Sequence, residues 1–267
     1  MFYKKKAFPL FKINSINRIT FLIIGFFLGQ YCYAQTQKRN QFENTYEFNK
    51  VIGKKTALEI NLNHLYTSSD NENNPFENNS RVSGWLWLHY FASKKWKIST
   101  NIGYVYNHDV PEINQKQLPE IRLSAQGIYY FIKKDYVLTN RLRIEDRILT
   151  TEDSGFDVIF RLREMVKLVY PISVIKFGKG SLYGIVSDEV FFKTKSQLTS
   201  DETFDRNRFT VGLGYSFSDA FQFELTYLND YIPRSTNDRI HNTLGTRLIF
   251  NDIISILRKK NGNIPTY

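Results

Sequence analysis

In the segment "RLRIEDR", Arg141, Arg143, Glu145 and Arg147 fall at every second position, so an extended chain carries all four on one face. The next segment, "RLREMVKL", repeats the device with Arg161, Arg163 and Lys167, and Arg206 and Arg208 open a later one. Glu120 with Arg122, and Glu224 with Asp230, take the same parity elsewhere. A guanidinium fork matches the oxygen pairs of carboxylates and phosphates. Such rows can therefore neutralise internal carboxylates or hold an anionic ligand. They cannot face hydrocarbon, where each cation costs about 2–4 kcal/mol near a bilayer midplane. The expectation is a charge network of Glu120, Arg122, Arg141, Arg143, Glu145, Arg147, Arg161, Arg163, Lys167, Arg206, Arg208 and Glu224 pointing into a lumen. Salt bridges that fill a narrow interior are the favoured reading, ahead of a selective pore or a ligand site.

Other chemistry has less support. Lipid hydrolases of the outer membrane place Ser two residues after His on one strand, so that both reach one ester. None of His64, His89, His108 and His241 has Ser there, although His241 has Thr243. No catalytic residue is assigned. No two histidines share a metal-ligand spacing, and "SSDNENN" lacks the glycine and closing glutamate of a calcium loop. "GKG" at 178–180 is too short for a phosphate loop. No metal or cofactor is expected. Trp85 and Trp87 share one face and Leu86 and Leu88 the other. Both faces are bulky, which leaves the inward side unassigned; aromatic girdle packing is favoured over a carbohydrate-stacking platform.

The elements that must position these residues alternate with period two. In "RFTVGLGYSFSDAFQFELTYLNDY" (208–231), Phe209, Val211, Leu213, Tyr215 and Phe217 alternate with small or polar residues, and after a turn Phe221, Phe223, Leu225 and Tyr227 do so again. Eleven such stretches follow one another: 41–49, 56–66, 81–92, 96–107, 119–132, 136–149, 156–170, 181–194, 206–217, 220–231 and 239–250. Strands of about nine to eleven residues suit a tilted bilayer crossing. No helix-period segment separates them, which excludes βαβ architecture.

Short breaks ("GKK", "SKK", "KKD", "FSDA") alternate with longer polar ones ("TSSDNENNPFENNS", "NHDVPEINQKQ", "KSQLTSDETF", "YIPRSTND"). Lysines gather at the short breaks and carboxylates such as Asp70, Glu72, Asp153 and Asp201 at the long ones. A basic rim suits anionic phospholipid headgroups, and an acidic rim faces lipopolysaccharide. Aromatics cluster at strand ends, as interfacial girdles do.

The fold class expected is all-β, an antiparallel up-and-down transmembrane β-barrel of ten to twelve strands. An even count is usual, so the reading preferred here removes the first stretch from the wall. Residues 35–53 are then an N-terminal segment, either a first strand or a plug. Residues 54–250 form the barrel and 251–267 a tail, with 252–258 an alternative twelfth strand.

Residues 1–34 read as a cleaved signal peptide, with Lys4, Lys5 and Lys6 ahead of the apolar run "ITFLIIGFFLG" and "CYA" before Gln35. Its removal takes Cys32, the one cysteine, and five basic residues, which lowers the formal charge from +10 to about +5. Nucleic acid is therefore not an expected partner.

The segments "RLRIEDR", "RLREMVKL", "YGIVSDEVFF" and "FDRNRFTVGLGYSFSDAFQFELTYLNDY" resemble the domain-of-unknown-function family numbered 2490 over roughly residues 40–250. The resemblance implies an outer-membrane barrel of a Gram-negative bacterium and brings no catalytic motif. The expected function is a structural or ligand-binding barrel in the outer membrane, with a charged, occluded lumen. Its expected partners are outer-membrane lipid and lipopolysaccharide, and a small anionic ligand. A narrow anion-preferring pore is the alternative and a lipid hydrolase the less favoured one.

Overall fold

A strand that turns every second side chain to the same face needs a partner strand on each edge, and eleven such strands satisfy one another by closing into a ring. The computed structural model describes residues 36–252 except 111, 112, 114, 134, 173–179, 197 and 236. In chain order the strands are β1 (Thr36–Val51), β2 (Thr56–Thr67), β3 (Asn78–Phe91), β4 (Trp96–Val110), β5 (Gln115–Lys133) and β6 (Val137–Thr150). They continue as β7 (Phe156–Pro171), β8 (Ser181–Lys193), β9 (Phe204–Ser218), β10 (Phe221–Ile232) and β11 (Asp238–Asn251). Consecutive strands pair antiparallel, and β1 closes the barrel against β11 in parallel, from Thr36 opposite Asp238 to Asn49 opposite Asn251.

The closure corrects the ten-strand reading. Thr36–Val51 is a full strand of the wall, paired along both edges. Its own pattern explains this: Glu43, Thr45 and Glu47 lie on one face, while Tyr46 and Phe48 are exposed on the other. With an odd count, the first and last strands run the same way, so their pairing must be parallel. The alternative strand at 252–258, the signal segment and the tail lie outside the described residues, apart from Asp252.

The strands also run longer than nine to eleven residues, from 12 in β2 to 19 in β5. The stretch "NHDVPEINQKQ" is mostly wall: Asp109 pairs with Lys116 and Val110 with Gln115, leaving 111–114 as the connection. Polar residues continue the ladder there because backbone pairing does not depend on the apolar pattern.

Burial is inverted relative to a soluble domain. Among the described residues, 35 large hydrophobic side chains are exposed, 11 hydrophobic residues are buried, and 31 polar or charged residues are buried. The exposed set occupies alternate positions, such as Ile60 and Leu62, Leu86 and Leu88, Leu142 and Ile144, and Val211 and Leu213. An apolar skin therefore surrounds a polar interior.

Two inner-face glycines make room for rings. A Cβ on Gly103 would lie 2.2 Å from the Trp85 ring, directly across the β3–β4 ladder. One on Gly214 would lie equally close to Tyr183 across β8–β9. Gly–aromatic pairing of this kind lets a bulky inward side chain lie flat on the wall.

At the end that carries the longer connections, inward-facing Leu149 and Ile159 form a buried apolar cluster with Val110 and Ile113, and Leu198 packs against it. Leu198 belongs to the β8–β9 connection, which is folded on itself by paired backbone bonds between Ser196 and Ser200. Asp157 accepts from the Leu198 N–H at 3.3 Å, and the Lys193 Nζ donates to the Ser200 carbonyl at 2.6 Å. Leu198 thus holds the β8–β9 connection against this cluster, which acts as a partial lid at this end of the ring.

Candidate functional site

The inner wall is organised around carboxylates that each serve two or more guanidinium groups. Glu120, with no exposed surface, accepts from both Arg122 and Arg147, the latter at 2.6 Å from Nε. Glu145, 2% exposed, takes Arg161 and Arg163. Glu189 takes Arg163 at 2.8 Å and also Arg141. Asp230 binds Arg208 through two bonds of 2.7 Å and Arg206 at 3.3 Å. Asp205 meets Arg161 at 3.5 Å, and Arg206 and Arg234 at 3.2 Å each. The last four carboxylates join into one chain of shared ion pairs across β6–β10, and Glu120 with its two arginines forms a separate trio on β5 and β6.

The residues singled out from the sequence thus share the inner face, but they do not form one cluster. Arg143 makes no ion pair among the described residues; it donates to the Gln126 side-chain oxygen Oε1 and lies 4.7 Å from the Trp87 ring centre. Lys167 likewise has no ion pair among them. Glu224 sits apart, toward the short-turn end, where it accepts from the Tyr183 hydroxyl at 3.1 Å and lies 3.6 Å from Arg247.

Trp85 and Trp87 are corrected from girdle to interior. Trp87 is 5% exposed, whereas Leu86 and Leu88 on the opposite face are each 46% exposed. The Arg122 guanidinium lies 5.4 Å from the Trp85 ring centre. Cation–π contact, unavailable to a ring facing lipid, therefore favours the inward side.

Sequence reasoning missed several members. Glu189 follows "YGIVSD", where both faces carry an acid and an apolar residue, so parity could not be assigned. Asp205 was hidden by its neighbour, since adjacent residues of a regular strand cannot share a face. A register shift sets Phe191 opposite Arg206 but Phe192 opposite Phe204, and the resulting bulge turns both Asp205 and Arg206 inward. Phe191 was also missed; it is 1% exposed and has the guanidiniums of Arg161, Arg163, Arg206 and Arg208 at 4.4–5.8 Å from its ring centre.

A further constellation links three strands. His89 Nδ1 lies 2.7 Å from Ser99 Oγ, and its Nε2 lies 2.9 Å from Glu59. Serine, histidine and carboxylate in that order resemble a nucleophile relay. Ser99 is only 1% exposed, however, and Trp87 stacks beside His89. A nucleophile must reach its substrate, and this one is enclosed. Thr243, on the same face as His241, donates its hydroxyl to Gln41 at 2.9 Å.

Beneath the lid lies a cavity of about 120 Å³. Seven arginines line it, including Arg81, Arg122 and Arg147, together with two carboxylates, Glu43 and Asp230. Val110 and Ile113 of the lid form part of the same lining.

The profile of a family described as "Protein of unknown function (DUF2490)" matches residues 40–241. The chain belongs to this family. The match begins inside β1 and ends inside β11, so the DUF2490 region takes in the inner charge network except Arg247. Comparison with curated proteins gives no match.

Proposed function

We propose that this DUF2490 protein is a bacterial outer-membrane barrel whose interior is sealed by its own charge network, a structural or ligand-binding component and not an open channel. The observation that carries the reading is the depth of the shared ion pairs. Glu120, Glu145, Arg147 and Arg161 are all 5% exposed or less, although they lie on the inner wall of the ring. An open aqueous channel would wet such side chains. The apolar lid above them supports closure at the same end.

Membrane insertion is supported by the inverted burial, because an exposed apolar skin of this extent has no stable counterpart in a soluble monomer. Lysines at the short turns (Lys54, Lys55, Lys94 and Lys95) and acids in the longer connections (Asp70, Glu72, Asp153 and Asp201) favour phospholipid on one rim and lipopolysaccharide on the other. The signal-like N-terminus supports export. The reading includes no catalytic step, since the enclosed Ser99 offers no path to a substrate.

Single-channel recording of the refolded barrel in a planar bilayer tests this directly. Silence from protein shown to be folded is expected. Discrete anion-selective steps that change in Arg143→Ala would replace the sealed barrel with a narrow pore.

A further inference from the structure

We propose that the cavity beneath the lid is a binding site for a phosphate-type oxyanion; this rests on the reading that the interior is closed at the long-connection end. Its volume of about 120 Å³ is several times the roughly 10–15 Å³ that one water requires. It can therefore hold a small oxyanion with accompanying water.

The donors left over point to the ligand class. Arg122 and Arg147 each give Nε and Nη2 to Glu120, which leaves the Nη1 group of each for another acceptor. Arg161, 5% exposed, has no acceptor for its Nε among the described residues. Arg81 makes no ion pair or hydrogen bond with any described residue, and its cross-strand neighbours, Leu65 and Asn107, carry no charge. Glu43 lines the same cavity without bonding Arg81, so of the seven lining arginines Arg81 alone has no direct carboxylate partner among the described residues. A cation so placed in a largely enclosed interior is costly unless an anion accompanies it.

Geometry narrows the class. These donors line the cavity from β3, β5, β6 and β7, an arc of the ring and not a single edge. A planar carboxylate presents two oxygens along one edge, whereas a tetrahedral oxyanion presents acceptors in all directions. Packing around Phe191 holds the neighbouring guanidiniums in place before any ligand arrives.

The test uses orthophosphate as probe, with the full refolded barrel in zwitterionic micelles at constant ionic strength. Titration calorimetry is expected to show saturable binding by the wild type, weakened about tenfold or more in Arg81→Gln. The same substitution removes an unpaired charge, so its unfolding midpoint in chloride is expected to rise. Arg247→Gln, outside the cavity, keeps the wild-type affinity. Absence of saturable binding by folded wild type overturns the proposal. So does an Arg81→Gln variant that unfolds earlier in chloride yet binds phosphate unchanged, the signature of a merely structural arginine. Conductance measured on the same samples separates the two readings. Ion flow blocked by phosphate, with the block lost in Arg81→Gln, would sink the sealed barrel and keep the site; silence without binding would do the reverse.

Discussion

Glu120 illustrates what a buried charge demands in this wall. It has no exposed surface and neutralises two arginines, so its loss strands both. Breaking a buried pair from one side costs about 3–5 kcal/mol, far more than the pair's net worth. Glu120→Gln is therefore expected to lower stability by about that amount in denaturant unfolding from micelles. Arg247→Gln offers the contrast. Its side chain is 44% exposed, with Glu224 and Glu47 at 3.6 and 3.9 Å, and the expected loss is about 1 kcal/mol or less. At this scale the sequence was most legible where charges repeat on a single parity, as in Arg141 to Arg147. It was least legible at Glu189 and Asp205, where mixed faces and a bulge defeat parity.

At the level of single strands, the β3–β4 pair depends on an absence of side chain. Trp85 lies over Gly103, and a larger residue there would displace the indole from the space it shares with Arg122. Gly103→Val is expected to cost about 1–3 kcal/mol through overpacking. A shift in tryptophan emission, measured alongside unfolding, would report the displaced ring; unchanged emission and stability would mean the wall yields elsewhere. That pairing could not be read beforehand, because "WLWLHY" offers bulky residues to both faces. The decision was made by residues on neighbouring strands, Gly103 and the arginines, and a single strand's pattern does not contain them. Strand existence was plainer: alternation alone placed all eleven. Their ends extended past the apolar belt, where polar residues pair just as well.

For the whole molecule, the inverted burial makes a claim that labelling can check. A single cysteine at Leu213, 52% exposed on the outer face, is expected to react with a lipid-soluble probe in liposomes. One at Ser124, 7% exposed on the inner face, is expected to be shielded. Equal labelling would count against the membrane-embedded skin. The barrel itself was legible because every strand repeats the same two-faced rule. The strand number was not, because the preference for even counts outweighed the pattern of β1.

The parallel seam between β1 and β11 has a consequence for anyone who would re-engineer this chain. In an even-stranded ring the first and last strands finish at the same rim, so a short linker can join them and new ends can be opened elsewhere. Here the ring is five hairpins and one odd strand, and Thr36 and Asn251 finish at opposite rims. A joining linker would have to climb the full seam, at about 3.4 Å per residue roughly 45 Å along the 14 residues of β11. Circular permutation, routine for barrels whose ends meet, would here require threading the linker through a crowded interior or along the greasy outside.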